Sequence, residues 1–235
     1  MRHGAIAALA TLAMTTSAAA GASLPELLTS VAANARFPAP TRADIRLERR
    51  KDDVTTSGTA VFLGRGHTLY VETRAGTRAL VRPSKIVVRT RTRVVRAAPG
   101  TRLDATDVFL EDLVPVTRGL LKVPQVSDEG PTGTVVTGAP AFPSVRALIV
   151  LTIDPDDHVV TRAKYYERSI SDLASFRRDE EFTRVNGHVR PGRITVDRQR
   201  DFATTRLDLT WRPAPETAAA VFTLRGLRGQ SPIVW

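Results

Sequence analysis

Asp44-Ile45-Arg46-Leu47-Glu48 alternates charged and aliphatic side chains, and that period of two runs on through the following fifty residues. Thr59, Val61 and Leu63 keep it, as do Leu69 with Val71, Leu80, Ile86 with Val88, and Val94. The connections Lys51-Asp52-Asp53, Gly64-Arg65-Gly66 and Ala75-Gly76-Thr77 are short and carry turn chemistry. This pattern predicts an antiparallel meander with one apolar and one polar face. Arg78, Arg82, Arg89, Arg91, Arg93 and Arg96 alternate with the aliphatics. They read as solvent-facing strand residues. A nucleic-acid surface would interleave stacking aromatics, and none are there, so no nucleic-acid partner is expected.

Toward the N-terminus the rhythm changes to that of a helix. Leu24, Leu27, Leu28, Val31 and Ala35 fall on one stripe of a predicted helix over Leu24 to Arg36. Ser23 and Glu26 form a capping-box pattern, Pro25 suits the first turn, and Phe37-Pro38-Ala39-Pro40 ends the helix. Before it, Arg2 and His3 precede an apolar run from Ala5 to Ala13 and the small residues Ser17 to Ala22. These are the parts of a secretory signal peptide over residues 1–22, cleaved after Ala20 or Ala22. The apolar run is too short for a membrane span. No cysteine stands at the cleavage point to take a lipid anchor, so the expected product is exported and soluble, with residues 23–235 as a single domain.

On the C-terminal side, Asp107-Val108-Phe109-Leu110-Glu111-Asp112-Leu113 predicts a short helical turn before Pro115. Val123 to Pro143, with prolines at 124, 131, 140 and 143, reads as a loop or crossover. Strands are expected over Val145 to Ile153 and Val159 to Tyr166, joined by Asp154-Pro155-Asp156-Asp157-His158. Ser169 to Arg177 is ambiguous. Glu180 to Val185 and Arg193 to Val196 flank the hairpin signal Asn186-Gly187. Arg206 to Trp211 reads as another strand, and Ala218 to Leu227 as a short closing tail.

The 235 residues are 42% hydrophobic and 25% charged with a net charge of +10, an ordinary globular composition. Only Lys51, Lys85, Lys122 and Lys164 among the 34 basic residues are lysine, a skew that discounts charge as a functional clue. There is no cysteine, hence no disulfide, thiolate metal site or cysteine nucleophile. His67, His158 and His188 lack metal-motif spacing, and no nucleophile elbow, P-loop or dinucleotide fingerprint occurs. Asp154, Asp156, Asp157 and His158 could hold a hard cation or serve a hydrolase, but Asp and Pro between two strands are ordinary turn formers. No catalytic residue, metal or cofactor is expected.

Three stretches carry a family resemblance: Asp107 to Leu113, the hairpin segment Val185 to Val196 with Pro191 in it, and Val221-Phe222-Thr223-Leu224-Arg225-Gly226-Leu227. Their order resembles that of the LolA-like outer-membrane lipoprotein-sorting proteins, in a poorly characterised branch of that superfamily. The resemblance implies a mainly β (α+β) fold, a curved antiparallel sheet forming an unclosed half-barrel with helices over its concave face. It also implies a non-enzymatic periplasmic carrier that shields a lipid or lipoprotein acyl chain in that concavity. Its partners would be an inner-membrane transporter or outer-membrane acceptor, with the chain itself a monomer. The expected cavity wall is Leu47, Val61, Leu69, Val71, Leu80, Val88, Ile149, Leu151, Ile194, Val196, Leu207, Leu209 and Trp211. The alternative is an accessory module that docks on an envelope transporter or anionic membrane through its arginine-rich face.

Overall fold

The computed structural model describes residues 23–90, 93–130, 133–215, 220–229 and 233. The expected leader, Arg91 and the start of the closing tail at Ala218 lie outside the described residues. Among the described residues one helix, α1 (Leu24–Ala35), precedes fifteen strands. At its start the backbone N–H and hydroxyl of Ser23 both donate to the Glu26 carboxylate, at 2.9 and 2.8 Å.

Thirteen strands form one curved antiparallel sheet that does not close into a barrel. Its first half is the meander β1 (Phe37–Lys51), β2 (Val54–Gly66), β3 (Thr68–Thr73), β4 (Arg78–Arg82), β5 (Lys85–Arg89) and β6 (Val94–Arg96). Its second half is β7 (Leu121–Gly130), β8 (Gly133–Pro140), β9 (Leu148–Asp154), β10 (Val159–Tyr166), β11 (Leu173–Glu180), β14 (Arg193–Arg198) and β15 (Ala203–Pro213). The halves meet at one seam, where β1 pairs with β15 from Thr41 opposite Pro213 to Lys51 opposite Ala203. The remaining strands, β12 (Thr183–Val185) and β13 (His188–Arg190), form a separate two-stranded ribbon. Its turn is Asn186-Gly187, with φ of 51° and 79°, the left-handed pair a two-residue hairpin requires.

The inner face of the sheet carries one core, which includes Ala43, Ile45, Leu47, Ala60, Phe62, Val71, Ala79, Val81, Val136, Val196 and Leu207, together with Leu27, Leu28 and Val31 of α1. A second core lies on the outer face. Val61, Leu63, Tyr70, Leu80 and Val87 pack there against Val221, Phe222, Leu227 and Ile233 of the C-terminal segment, which includes α2 (Leu224–Arg228). The meander is therefore not apolar on one face alone, because the far end of the chain covers its back.

Two further expectations are corrected. Val123 to Pro143 is no loop: most of it is the β7–β8 hairpin. β7 is an edge strand, its pairing shifts register between Lys122 and Gln125, and Val123 has φ of 44°. A proline at such a bulge removes no ladder hydrogen bond that the sheet needs, so Pro124 is compatible with a strand. The helical turn after Asp107 shrinks to a 3-10 turn over Leu110–Leu113. The ambiguous Ser169 to Arg177 contributes the start of β11.

Candidate ligand cavity

The inner face is wider than α1 can cover, and the uncovered part is a cavity of about 170 Å³. Its floor is sheet: Phe62, Leu69, Ile149, Leu151, Ala163, Tyr165, Ile194, Leu209 and Trp211. One side is the end of α1 and the start of β1, through Val31, Asn34, Ala35 and Phe37. Another is the segment Glu111 to Val116 with Leu120 and Phe142, and a further side is Val189 and Arg190 of the β12–β13 ribbon with Phe182 and Pro191 flanking it.

Asn34, in the last turn of α1, ties the ribbon to the helix. It accepts from the Val189 N–H at 3.0 Å through its side-chain oxygen and donates to the His158 carbonyl at 3.4 Å. Its own carbonyl accepts from Arg190 Nη1 at 2.6 Å and lies 3.1 Å from His188 Nδ1. Trp211 donates from Nε1 to the Pro191 carbonyl at 2.7 Å, and its ring centroid is 6.0 Å from that of Phe37.

Charge is buried at the cavity wall. The Arg146 guanidinium lies 4.6 Å from the Phe109 ring and 5.1 Å from the Tyr165 ring. It faces Glu111 at 3.8 Å, Asp112 at 3.6 Å and Glu167 at 3.4 Å, so one cation serves three carboxylates. Burial raises the pKa of Glu111, and repulsion from Asp112 adds to it; burial likewise raises that of Asp112, against the opposing pull of Arg146. Arg177 holds Asp179 through Nε and Nη2, both at 2.6 Å, and its Nη1 donates to the Asp112 carbonyl.

Of the residues expected on the cavity wall, Leu69, Ile149, Leu151, Ile194, Leu209 and Trp211 line the cavity. Leu47, Val71, Val196 and Leu207 belong to the same inner core without reaching the void, and Val88 packs against that core. Val61 and Leu80 are corrected: both sit in the outer core, facing away from the cavity. The period of two cannot assign a face where both faces are buried, as in Ala60-Val61-Phe62-Leu63. Sequence reasoning missed the cavity's Phe37, Phe142, Arg177 and Arg190. Arg190 does fall inside the Val185 to Val196 stretch, but an arginine in a hairpin carries no signal of burial.

The acidic segment after β9 is a turn. Asp154 accepts at one carboxylate oxygen from the N–H of Asp156 at 2.9 Å and of Asp157 at 3.1 Å, and Asp157 pairs with Arg184 at 2.7 Å. Among the described residues no three His, Asp or Glu side chains gather as metal ligands would. The arginine stripe is largely occupied as well. Arg78 and Arg89 donate to the Gly229 carbonyl at 3.0 and 2.8 Å, and Arg82 to that of Phe222 at 2.7 Å, so the stripe fastens the C-terminal segment to the outer face. Arg93 and Arg96 stay exposed.

Comparison of the sequence with protein-family models and with curated proteins finds no match. Solved structures do match. A DUF1329 family protein from Desulfovibrio piger superposes with a TM-score of 0.73 at 14% identity, covering 86% of this chain and 97% of that one. A putative outer-membrane lipoprotein-sorting protein domain from Vibrio parahaemolyticus gives 0.74 at 11% identity, covering 87% and 98%. A LolA superfamily protein from Nitrosomonas europaea gives 0.64 at 19%, covering 83% and 96%. The chain has a LolA-like fold. No helix among the described residues is long and apolar enough to cross a membrane.

Proposed function

We propose that this chain is a periplasmic carrier that takes a lipid, a lipoprotein acyl chain or a similar hydrophobic molecule into the cavity and moves it toward the outer membrane. It acts by binding and catalyses no reaction. The observation that carries the reading is the void itself, about 170 Å³ of largely apolar-walled space between the inner sheet face and α1. Protein interiors close such spaces when nothing selects for them, because the lining forfeits dispersion contacts. An apolar concavity with a few polar groups at its wall is the usual form of a small-molecule site. The LolA-like fold and the signal-peptide pattern of residues 1–22 support the same reading.

The size of the void sets a condition. A cavity of about this volume admits a molecule near the size of benzene. A full acyl chain therefore requires α1 and the Val114 to Val116 segment to move outward. The chain would load at an inner-membrane transporter and unload at an outer-membrane acceptor, as a monomer.

Native mass spectrometry of the protein purified from an envelope extract tests this, with solvent extraction of the same sample. A stoichiometric adduct that partitions into organic solvent is expected. A bare mass that takes up neither fatty acid, fatty alcohol nor phospholipid on addition refutes the carrier.

A further inference from the structure

Arg190 stands apart from the other arginines of the cavity. It is 5% exposed. Its Nη1 donates to the carbonyls of Asn34 at 2.6 Å and Val189 at 2.9 Å, and its Nη2 to that of Arg36 at 2.6 Å. The guanidinium carbon lies 4.5 Å from the centre of the Phe37 ring. All of these partners are neutral. Among the described residues no carboxylate pairs with Arg190, and its buried Nε has no hydrogen-bond partner. Arg146 and Arg177 line or adjoin the same space and each meets carboxylates. Burial lowers the pKa of Arg190 to about 10, which leaves it cationic at neutral pH. The carbonyl end of α1 and the Phe37 ring offset part of that buried charge, but neither is a counter-ion.

We infer that Arg190 is an oxyanion-binding subsite of the cavity, and that the ligand is an amphiphile whose carboxylate or phosphate head meets this guanidinium while its chain lies along the apolar sheet floor. The inference rests on the carrier reading and names the ligand class that reading leaves open. Nε is covered in the closed cavity and no protein group takes it up; when the cavity widens for a chain it is one prong of the fork that grips a carboxylate or phosphate, and Nη2, with one of its two protons given to Arg36, is the other. Orientation follows from the rest of the wall. Arg146 and Arg177 are already matched by Glu111, Asp112 and Asp179, so the head belongs at the ribbon and the chain runs toward Ile149 and Leu151.

Isothermal titration of the purified protein with decanoate, decyl phosphate and decanol tests this, because the three share a chain and differ in the head. At least one anion is expected to bind about tenfold or more tighter than decanol, the span of a charge-assisted hydrogen bond. Preference for decanoate identifies a fatty-acid-like ligand, and preference for decyl phosphate a phospholipid-like one. In Arg190→Gln the preference should fall to within about twofold of parity. Equal affinities in the wild type, or a preference that survives in Arg190→Gln, overturn the subsite and leave the carrier standing. Binding of none of the three overturns both. If Arg190→Gln does not fold, the ¹⁵Nε–H resonance of Arg190 in the wild type decides: decanoate or decyl phosphate must shift it where decanol does not.

Discussion

Ala163→Leu separates the cavity from the core around it. Ala163 is 2% exposed, sits on β10 and faces the void. At about 24 cal/mol per Å³ of cavity, a void of about 170 Å³ represents about 4 kcal/mol of packing that the fold forgoes. Three added carbons, at about 0.8 kcal/mol each, recover up to about 2.4 kcal/mol if they enter that space. Forcing a larger side chain into a filled core costs about 1–3 kcal/mol instead. The variant is therefore expected within about 1 kcal/mol of wild type, or up to about 2 kcal/mol more stable, in urea unfolding with an unchanged m-value. Its uptake of decanol should fall at least about tenfold, since the void no longer offers its floor to the chain. Destabilisation beyond about 3 kcal/mol with ligand uptake intact would show that the space beside Ala163 is neither empty nor the site.

Three further outcomes follow from the buried polar groups. Asp107 is fully buried and takes Arg49 on both carboxylate oxygens, at 2.8 and 3.3 Å, with Thr205 at 3.2 Å; Asp107→Ala strands that cation and should cost about 3 kcal/mol, read as a lowered urea midpoint. Asn34→Ala should cost about 1–2 kcal/mol and speed amide exchange at Val189 well before the main sheet exchanges, whereas uniform protection across both would mean that Asn34 does not hold the ribbon. The folded-state pKa values of Glu111 and Asp112 lie above their unfolded values, so the folded chain binds more protons than the unfolded one above about pH 4. Their contribution is thus undiminished below that point and is lost as pH rises toward the folded values. Glu111→Gln should flatten the decline in urea midpoint above about pH 4, and a profile parallel to the wild type would contradict the burial that raises this carboxyl's pKa.

Much of the sheet is legible in the sequence, because where one face is buried the period of two has a single solution. β10 lies where the alternation places it, from Val159 to Tyr166, and α1 begins at its capping box. Asn186-Gly187 specifies its turn by backbone conformation alone, yet the ribbon it makes stands outside the main sheet. The unreadable parts share a cause: each depends on where distant parts of the chain lie, beside the residue or away from it. Val61 and Leu80 face outward because Val221, Phe222, Leu227 and Ile233 cover them. Pro124 is tolerated because β7 has no neighbour on one side. Arg190 is buried because β13 folds back onto the end of α1, more than 150 positions earlier in the chain. Composition and spacing carry no trace of any of these encounters.

The β1–β15 seam also imposes an order of assembly. Each half of the sheet is built of strands close in sequence, whose pairing needs little loop closure. The seam joins strands at opposite ends of the chain, and the outer-face cover arrives later still. A chain made from its N-terminus presents β1 early, with one edge unpaired until residue 213 has followed. The cavity floor draws on both halves, Phe62 and Leu69 from one and Ile149 and Leu209 from the other, so it cannot exist before then. Any molecule that occupies the cavity can therefore enter only after the seam has closed, a form of timing written into strand order.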